Sequence, residues 1–275
     1  MTATFLDIPI ARGAVEQRIH YDYSRPVRNL RQRLVVVPPP RHGRQRRGDW
    51  SFDVLGAEPE TVRFGCDSFG NVKIEVVVSE VRSWIEFDVR AAIEFPDEPI
   101  VGVPADRRDL EPTRLTAADD AISLLVHGGD RPDPELICAR VHQALTYEYG
   151  ITGVHTTAAD ALAGGRGVCQ DYAHLMLAVC RMVGLPARYV SGHLVGEGGS
   201  HAWVEVYRRN DDDPGTWIPE AWDPTHGRRT TSNYITIATG RDYSDVAPMS
   251  GTYDGRARGT LSVTKSARTW FPANA

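Results

Sequence analysis

Cys169, His201 and Asp223 are the residues whose types and order permit chemistry on an acyl group, and they stand 32 and then 22 positions apart. A thiol must lose its proton before it attacks a carbonyl. An imidazole can take that proton and later hand it to a leaving amine, while a carboxylate holds the imidazole in the required tautomer. Cys169 follows the turn Gly164-Gly165-Arg166-Gly167 and opens a helical run to about Val183, in which Ala173, Met176, Leu177, Cys180 and Val183 share a face. Gly184 and Pro186 supply the stop. A thiol in the first turn faces unpaired backbone N–H groups and a positive dipole end, which favour the thiolate and can also hold an oxyanion. His201 opens the alternating stretch His201 to Tyr207 after the loop Gly196-Glu197-Gly198-Gly199, and Asp223 ends a short apolar strand just before Pro224.

Residue types alone leave alternatives open. A cysteine behind a glycine turn is equally a small apolar packing group. His193 and His226 compete with His201 for the role of base, whereas His174, five residues after Cys169, points about 140° away around the helix. Asp211-Asp212-Asp213 reads as a solvated hairpin tip.

The stretches GGRGVCQDYAHL, LPARYVSGHL, SHAWVEVY and AWDPTHG together resemble the transglutaminase-like superfamily, in the bacterial branch described as candidate cysteine proteases. Tyr21 to Val27 resembles the opening of the N-terminal domain that accompanies this core, and Gly240 to Pro248 its usual sequel. The resemblance implies an α+β fold: a papain-like, transglutaminase-like core with a nucleophile helix packed on an antiparallel sheet, preceded by a small all-β sandwich-like domain. It implies Cys169 as nucleophile, His201 as base and then acid, and Asp223 as orienting carboxylate. A second oxyanion donor is expected upstream of the nucleophile, with Tyr147 as candidate, and Gln170 and Arg241 are further oxyanion or substrate candidates. The implied reaction is acyl transfer from an amide or peptide through a thioester, with water the favoured acceptor. The alternatives are a protein-glutamine transglutaminase using an amine acceptor, and a catalytically silent binding module. The expected partner is a peptide or protein substrate, and no cofactor or metal is required.

Periodicity places the elements that must position these residues. Residues 1–95 alternate in short strands, as in a β-sandwich; residues 96–112 lack periodicity and read as a linker; residues 113–275 read as the core with a C-terminal extension. Within the core, helices are expected from Thr116 to about Val126 and from Asp133 to about Tyr149, and strands follow Pro186, an α+β order. Hydrophobic residues make up 41% and charged residues 24%, ordinary for a globular chain, and a net charge of −5 offers no general attraction to nucleic acid or anionic membrane. The basic run Arg41 to Arg47 reads as a solvated loop without a stacking platform. Four cysteines without a CxxC pair, no signal-like N-terminus and no long apolar run lead to the expectation of a cytoplasmic protein with reduced thiols. Oligomeric state has no signature in the sequence.

Overall fold

A computed structural model describes residues 11–104, 106–126 and 133–271. In chain order the strands are β1 (Ala11–Tyr23), β2 (Val27–Leu34), β3 (Arg41–His42), β4 (Gln45–Leu55), β5 (Thr61–Cys66), β6 (Val72–Val81), β7 (Trp84–Phe95), β8 (Thr146–Tyr147), β9 (Arg166–Gly167), β10 (Ala187–Leu194), β11 (His201–Arg209), β12 (Trp217–Asp223), β13 (Arg228–Arg229), β14 (Tyr234–Gly240), β15 (Met249–Asp254) and β16 (Gly259–Trp270). The α-helices are α1 (Asp120–Ser123), α2 (Pro134–Ala144), α3 (Ala158–Gly164), α4 (Cys169–Met182) and α5 (Tyr243–Val246).

Two sheets, ordered β16-β1-β7-β4-β3 and β15-β2-β6-β5, face each other as the expected sandwich. Strict alternation drives this: Val15, Ile19, Ile74, Val76, Val78, Ile85, Phe87 and Val89 turn inward and are buried, with polar neighbours facing out. The C-terminal extension does not join the core. β16 pairs with β1 from Arg12 opposite Trp270 to Tyr23 opposite Gly259, and β15 pairs with β2, so residues 249–270 complete the sandwich from the far end of the chain. Alternation at Thr260 to Val263 reads as strand, Met249–Asp254 carries no such mark, and a pairing partner more than 200 residues away leaves none in either.

The core is a five-stranded antiparallel sheet, β13-β12-β11-β10-β14, with α4 lying across β10 and β11. The fold is thus α+β with the nucleophile-bearing helix on an antiparallel sheet. α4 is not the one-faced helix its periodicity suggests: every residue from Gln170 to Arg181 is buried, because α1, α2 and α3 cover the side away from the sheet. Two expected helices are shorter than their pattern. Only Asp120–Ser123 is α-helical in the first stretch, and α2 stops at Ala144, where Leu145 turns extended (φ −124°, ψ 149°) and leads into β8.

The sandwich and the core are joined by polar groups that imitate a strand. β14 is the free edge of the core sheet, and an open edge leaves backbone groups unpaired. The side-chain amide of Gln45 donates to Thr236 O (2.9 Å) and accepts from Thr236 N (2.8 Å), while that of Asn71 does the same at Thr239 (2.8 and 2.8 Å). Apolar contact between Val15 and Ile93 of the sandwich and Ile235 and Ile237 of β14 fills the space between them. The basic stretch is no open loop. It forms the β3–β4 hairpin, with Gln45 buried and Arg47 bonded to Pro38 O at 2.8 Å.

Candidate active site

The nucleophile candidate is set by the turn before α4. Gly165 at the end of α3 takes a left-handed conformation (φ 63°) that glycine adopts without strain. Gly167 lies so close to Asp171 that an added Cβ would sit 2.6 Å from that side chain. Asp171 in turn fixes the helix start, its Oδ2 accepting from Val168 N (2.8 Å) and Thr152 Oγ1 (2.7 Å). Cys169 therefore occupies the first position of α4, half-buried, where the leading N–H groups have no helical acceptor.

His201 and Asp223 arrive from adjacent strands. His201 begins β11 and Asp223 ends β12, which puts the imidazole Nε2 2.8 Å from Asp223 Oδ2, with both side chains buried. Cys169 acts on the same imidazole, so the three residues the sequence singled out meet at one site. Burial opposes a charge on His201, but the hydrogen bonds and charges of Asp223 and Cys169 outweigh it and raise its pKa to about 10. Asp223 shows the mirror effect. Burial pushes its carboxyl up, yet hydrogen bonds from His201, Tyr234 and His226 and the charge of His201 hold it well below the usual carboxylate range.

Three residues at the site carried no distinct functional signal. Tyr234, from β14, donates its hydroxyl to Asp223 Oδ2 at 2.7 Å. His226, three residues after Asp223, places Nδ1 2.8 Å from the same oxygen and Nε2 2.9 Å from Glu197 Oε1. Glu197 Oε2 lies 3.3 Å from His201 Nδ1. His226 stood among the alternatives to His201 and is here a second imidazole on the same acid. Tyr234 read only as a strand residue and Glu197 only as part of a glycine-rich loop. The donor atoms of His201, Asp223 and His226 all fall within 4.8 Å of one another, and hydrogen bonds converging on Asp223 account for that proximity.

The weaker candidates divide. Tyr147 sits on β8 paired with Gly167, two residues before the thiol, and is exposed; burial followed by the charges of Cys169 and Glu197 pushes its phenol up. Gln170 is turned away, its amide donating to Gly153 O at 3.3 Å. Arg241 is engaged at α5, its guanidinium bound to both carboxylate oxygens of Asp245 (2.9 and 3.0 Å). His174, within α4, is buried and accepts from Tyr243 N at 3.2 Å. The other thiols differ in kind: Cys138 and Cys180 are buried, and burial pushes both up to about 12, while Cys66 is exposed on the sandwich.

Residues 132–220 match the model of the transglutaminase-like superfamily core, and residues 14–94 match the bacterial transglutaminase-like N-terminal region. The uncharacterized protein ML0607 of Mycobacterium leprae is 34% identical over 228 residues, covering 78% of this chain and 75% of the relative. The chain belongs to the transglutaminase-like superfamily. A second relative, the uncharacterized protein Rv2569c of Mycobacterium tuberculosis, is 32% identical over 157 residues, 52% of this chain and 49% of its own. Among solved structures, one described as a candidate cysteine protease from Cytophaga hutchinsonii superposes with a TM-score of 0.74 at 22% identity, covering 97% of this chain and 92% of that one. This transglutaminase-like protein therefore shares its whole two-part fold with that structure. Among the described residues, no helix is long and apolar enough to cross a membrane.

Proposed function

We propose that this transglutaminase-like protein is a thiol acyl-transfer enzyme acting on peptide or amide bonds, with Cys169 as nucleophile, His201 as base and acid, and Asp223 as the carboxylate that orients the imidazole. The observation that carries the reading is the half-buried thiol at the start of α4 acting on the His201 imidazole, whose Nε2 lies 2.8 Å from Asp223. In this reading the thiolate attacks the substrate carbonyl carbon and the oxyanion is met by backbone N–H groups at the start of α4. Collapse breaks the C–N bond, His201 protonates the departing amine, and a thioester remains on Cys169. Water, activated by the now neutral His201, then releases the acid.

Tyr147 is the candidate for a second oxyanion contact, because its strand pairs with Gly167 just before the nucleophile, the residue is exposed, and the charge of Cys169 acts on its phenol. The test is mass spectrometry of a glutamine-containing casein digest incubated with the protein, with and without a primary amine, beside Cys169→Ala. Cleaved peptides or released ammonia that vanish in Cys169→Ala support hydrolysis. Amine incorporated into glutamine makes the protein a transglutaminase. Turnover that survives Cys169→Ala removes the nucleophile assignment.

A further inference from the structure

The imidazole of His201 is held between two carboxylates. Asp223 Oδ2 lies 2.8 Å from Nε2, and Glu197 Oε2 lies 3.3 Å from Nδ1, the ring nitrogen that Asp223 does not engage. Glu197 is fixed from its other oxygen by His226 Nε2 at 2.9 Å, and His226 Nδ1 returns to Asp223 Oδ2 at 2.8 Å. Two imidazoles and two carboxylates thus close a ring around the base. Its floor is buried and rigid, since Asp223 is inaccessible, but Glu197 is 40% exposed and sits in a loop that turns on Gly196 (φ 98°) and Gly198 (φ 68°). That loop is attached at its ends, by Val195 N to Asn233 O at 3.0 Å and by Ser200 to Lys265 of β16.

An ionised carboxylate oxygen only accepts hydrogen bonds, so its contact with Nδ1 is attractive when that nitrogen carries a proton and repulsive when it does not. Nε2 already donates to Asp223. Both contacts are favourable together only for the imidazolium, the form His201 takes when Cys169 is a thiolate.

We infer that Glu197 is a positioning residue, a second carboxylate that holds the thiol-facing nitrogen of His201 protonated and so maintains the thiolate–imidazolium pair. The inference rests on the acyl-transfer reading above. The proton comes from the Cys169 thiol: the S–H bond breaks, an Nδ1–H bond forms, and the Glu197 carboxylate 3.3 Å away favours the charged ring electrostatically. When that proton passes to the leaving amine, Glu197 faces a bare lone pair, which favours its replacement from water in the next step. Other groups act on the same nitrogen and must be kept constant. Asp223 lies on the Nε2 side with Tyr234 bonded to it, the charge of Cys169 acts on the imidazole and on the Tyr147 phenol, and Glu197 is met by His226 from the turn after β12 and by the charge of Arg228 on β13. Lys265 stands one residue from the base, at Ser200.

The test reads the imidazole directly, without substrate. Side-chain 1H–15N NMR titrations of Cys169→Ala and of Cys169→Ala combined with Glu197→Gln are compared, with the His201 signals assigned by their loss in His201→Gln. The midpoint of His201 should fall by about one pH unit on removing the Glu197 charge, and Glu197→Asp should recover part of the shift. A change below about 0.3 unit, or an equal change in Glu197→Asp, overturns the inference. Because neither variant needs to turn over, a shift seen while the unaltered protein shows neither hydrolysis nor amine incorporation would sink the acyl-transfer reading alone, and turnover without a shift would sink the role of Glu197 alone. If turnover is found, the alkaline limb of its pH profile should move to lower pH in Glu197→Gln.

Discussion

Tyr234 donates its hydroxyl to Asp223 Oδ2 at 2.7 Å, from a strand that is hydrogen-bonded to β10 and not to the strand carrying Asp223. The acid is therefore held by a strand three places away in the sheet as well as by its neighbour β11. Tyr234→Phe removes one donor from a buried anion while leaving His201 and His226 in place. Such a bond contributes about 1.5–3 kcal/mol, so the midpoint of urea unfolding should drop correspondingly, with any turnover reduced by tenfold or less.

Gly192 lies where β10 shifts register against β14. A Cβ there would come 2.1 Å from Ile235 O and 2.5 Å from the Trp203 ring. Neither can give way, since one is backbone and the other is packed beside His201. Gly192→Ala should cost about 3 kcal/mol and broaden the His201 NMR signals, whereas Gly43→Ala, with nothing within 4 Å, should cost only its backbone strain at φ 52°.

The joint between sandwich and core rests on amide side chains acting as a strand. Gln45→Leu keeps the volume but leaves the buried Thr236 N–H and C=O without partners, at about 1–3 kcal/mol for each group. The same change at Asn71 should act additively, the two positions having separate partners. Denaturant titrations of the single and double variants check this. Loss of single-transition unfolding in the double variant would show that the two parts had become independent.

Residues 249–270 supply one outer strand to each sheet of the sandwich. A chain ending at Pro248 should expose the thirteen-residue edge of β1 and uncover the sandwich core beneath Val263 and Tyr253. Size-exclusion chromatography should show association or aggregation even though Cys169, His201 and Asp223 are all present.

Stability should depend on pH on both sides of neutrality. Burial pushes His174 and His193 down to about 4, so both stay neutral when folded while the unfolded chain begins to bind protons near 6.5. The unfolded state then holds more protons, and stability falls from pH 6.5 towards 4, by up to about 3 kcal/mol per histidine. His201 has the opposite sign. Its pKa is raised to about 10, so its contribution is complete below 6.5 and is lost as pH rises towards 10. Urea unfolding across pH 4–10 checks both arms: His174→Gln should flatten the acid side and His201→Gln the alkaline side.

The sequence by itself determined the parts whose causes are local. A glycine-rich turn before a helical run placed Cys169 at a helix start, and alternation placed His201 and Asp223 at strand ends. Residue order and motif together pointed to the superfamily. The sandwich was readable because period-two burial is a property of each strand alone. Tertiary structure decided what depends on distant pairing. β16 meets β1 across the whole chain, Gln45 and Asn71 meet the backbone of β14, and α4 is buried all round because three helices close over it. The same holds within the site. Tyr234 and Glu197 have ordinary neighbours in sequence, and only the register of β10, β11, β12 and β14 brings a phenol and a second carboxylate to a histidine already partnered by Asp223. Side-chain contacts between strands follow from register and twist, and neither is written in the residues that make the contact.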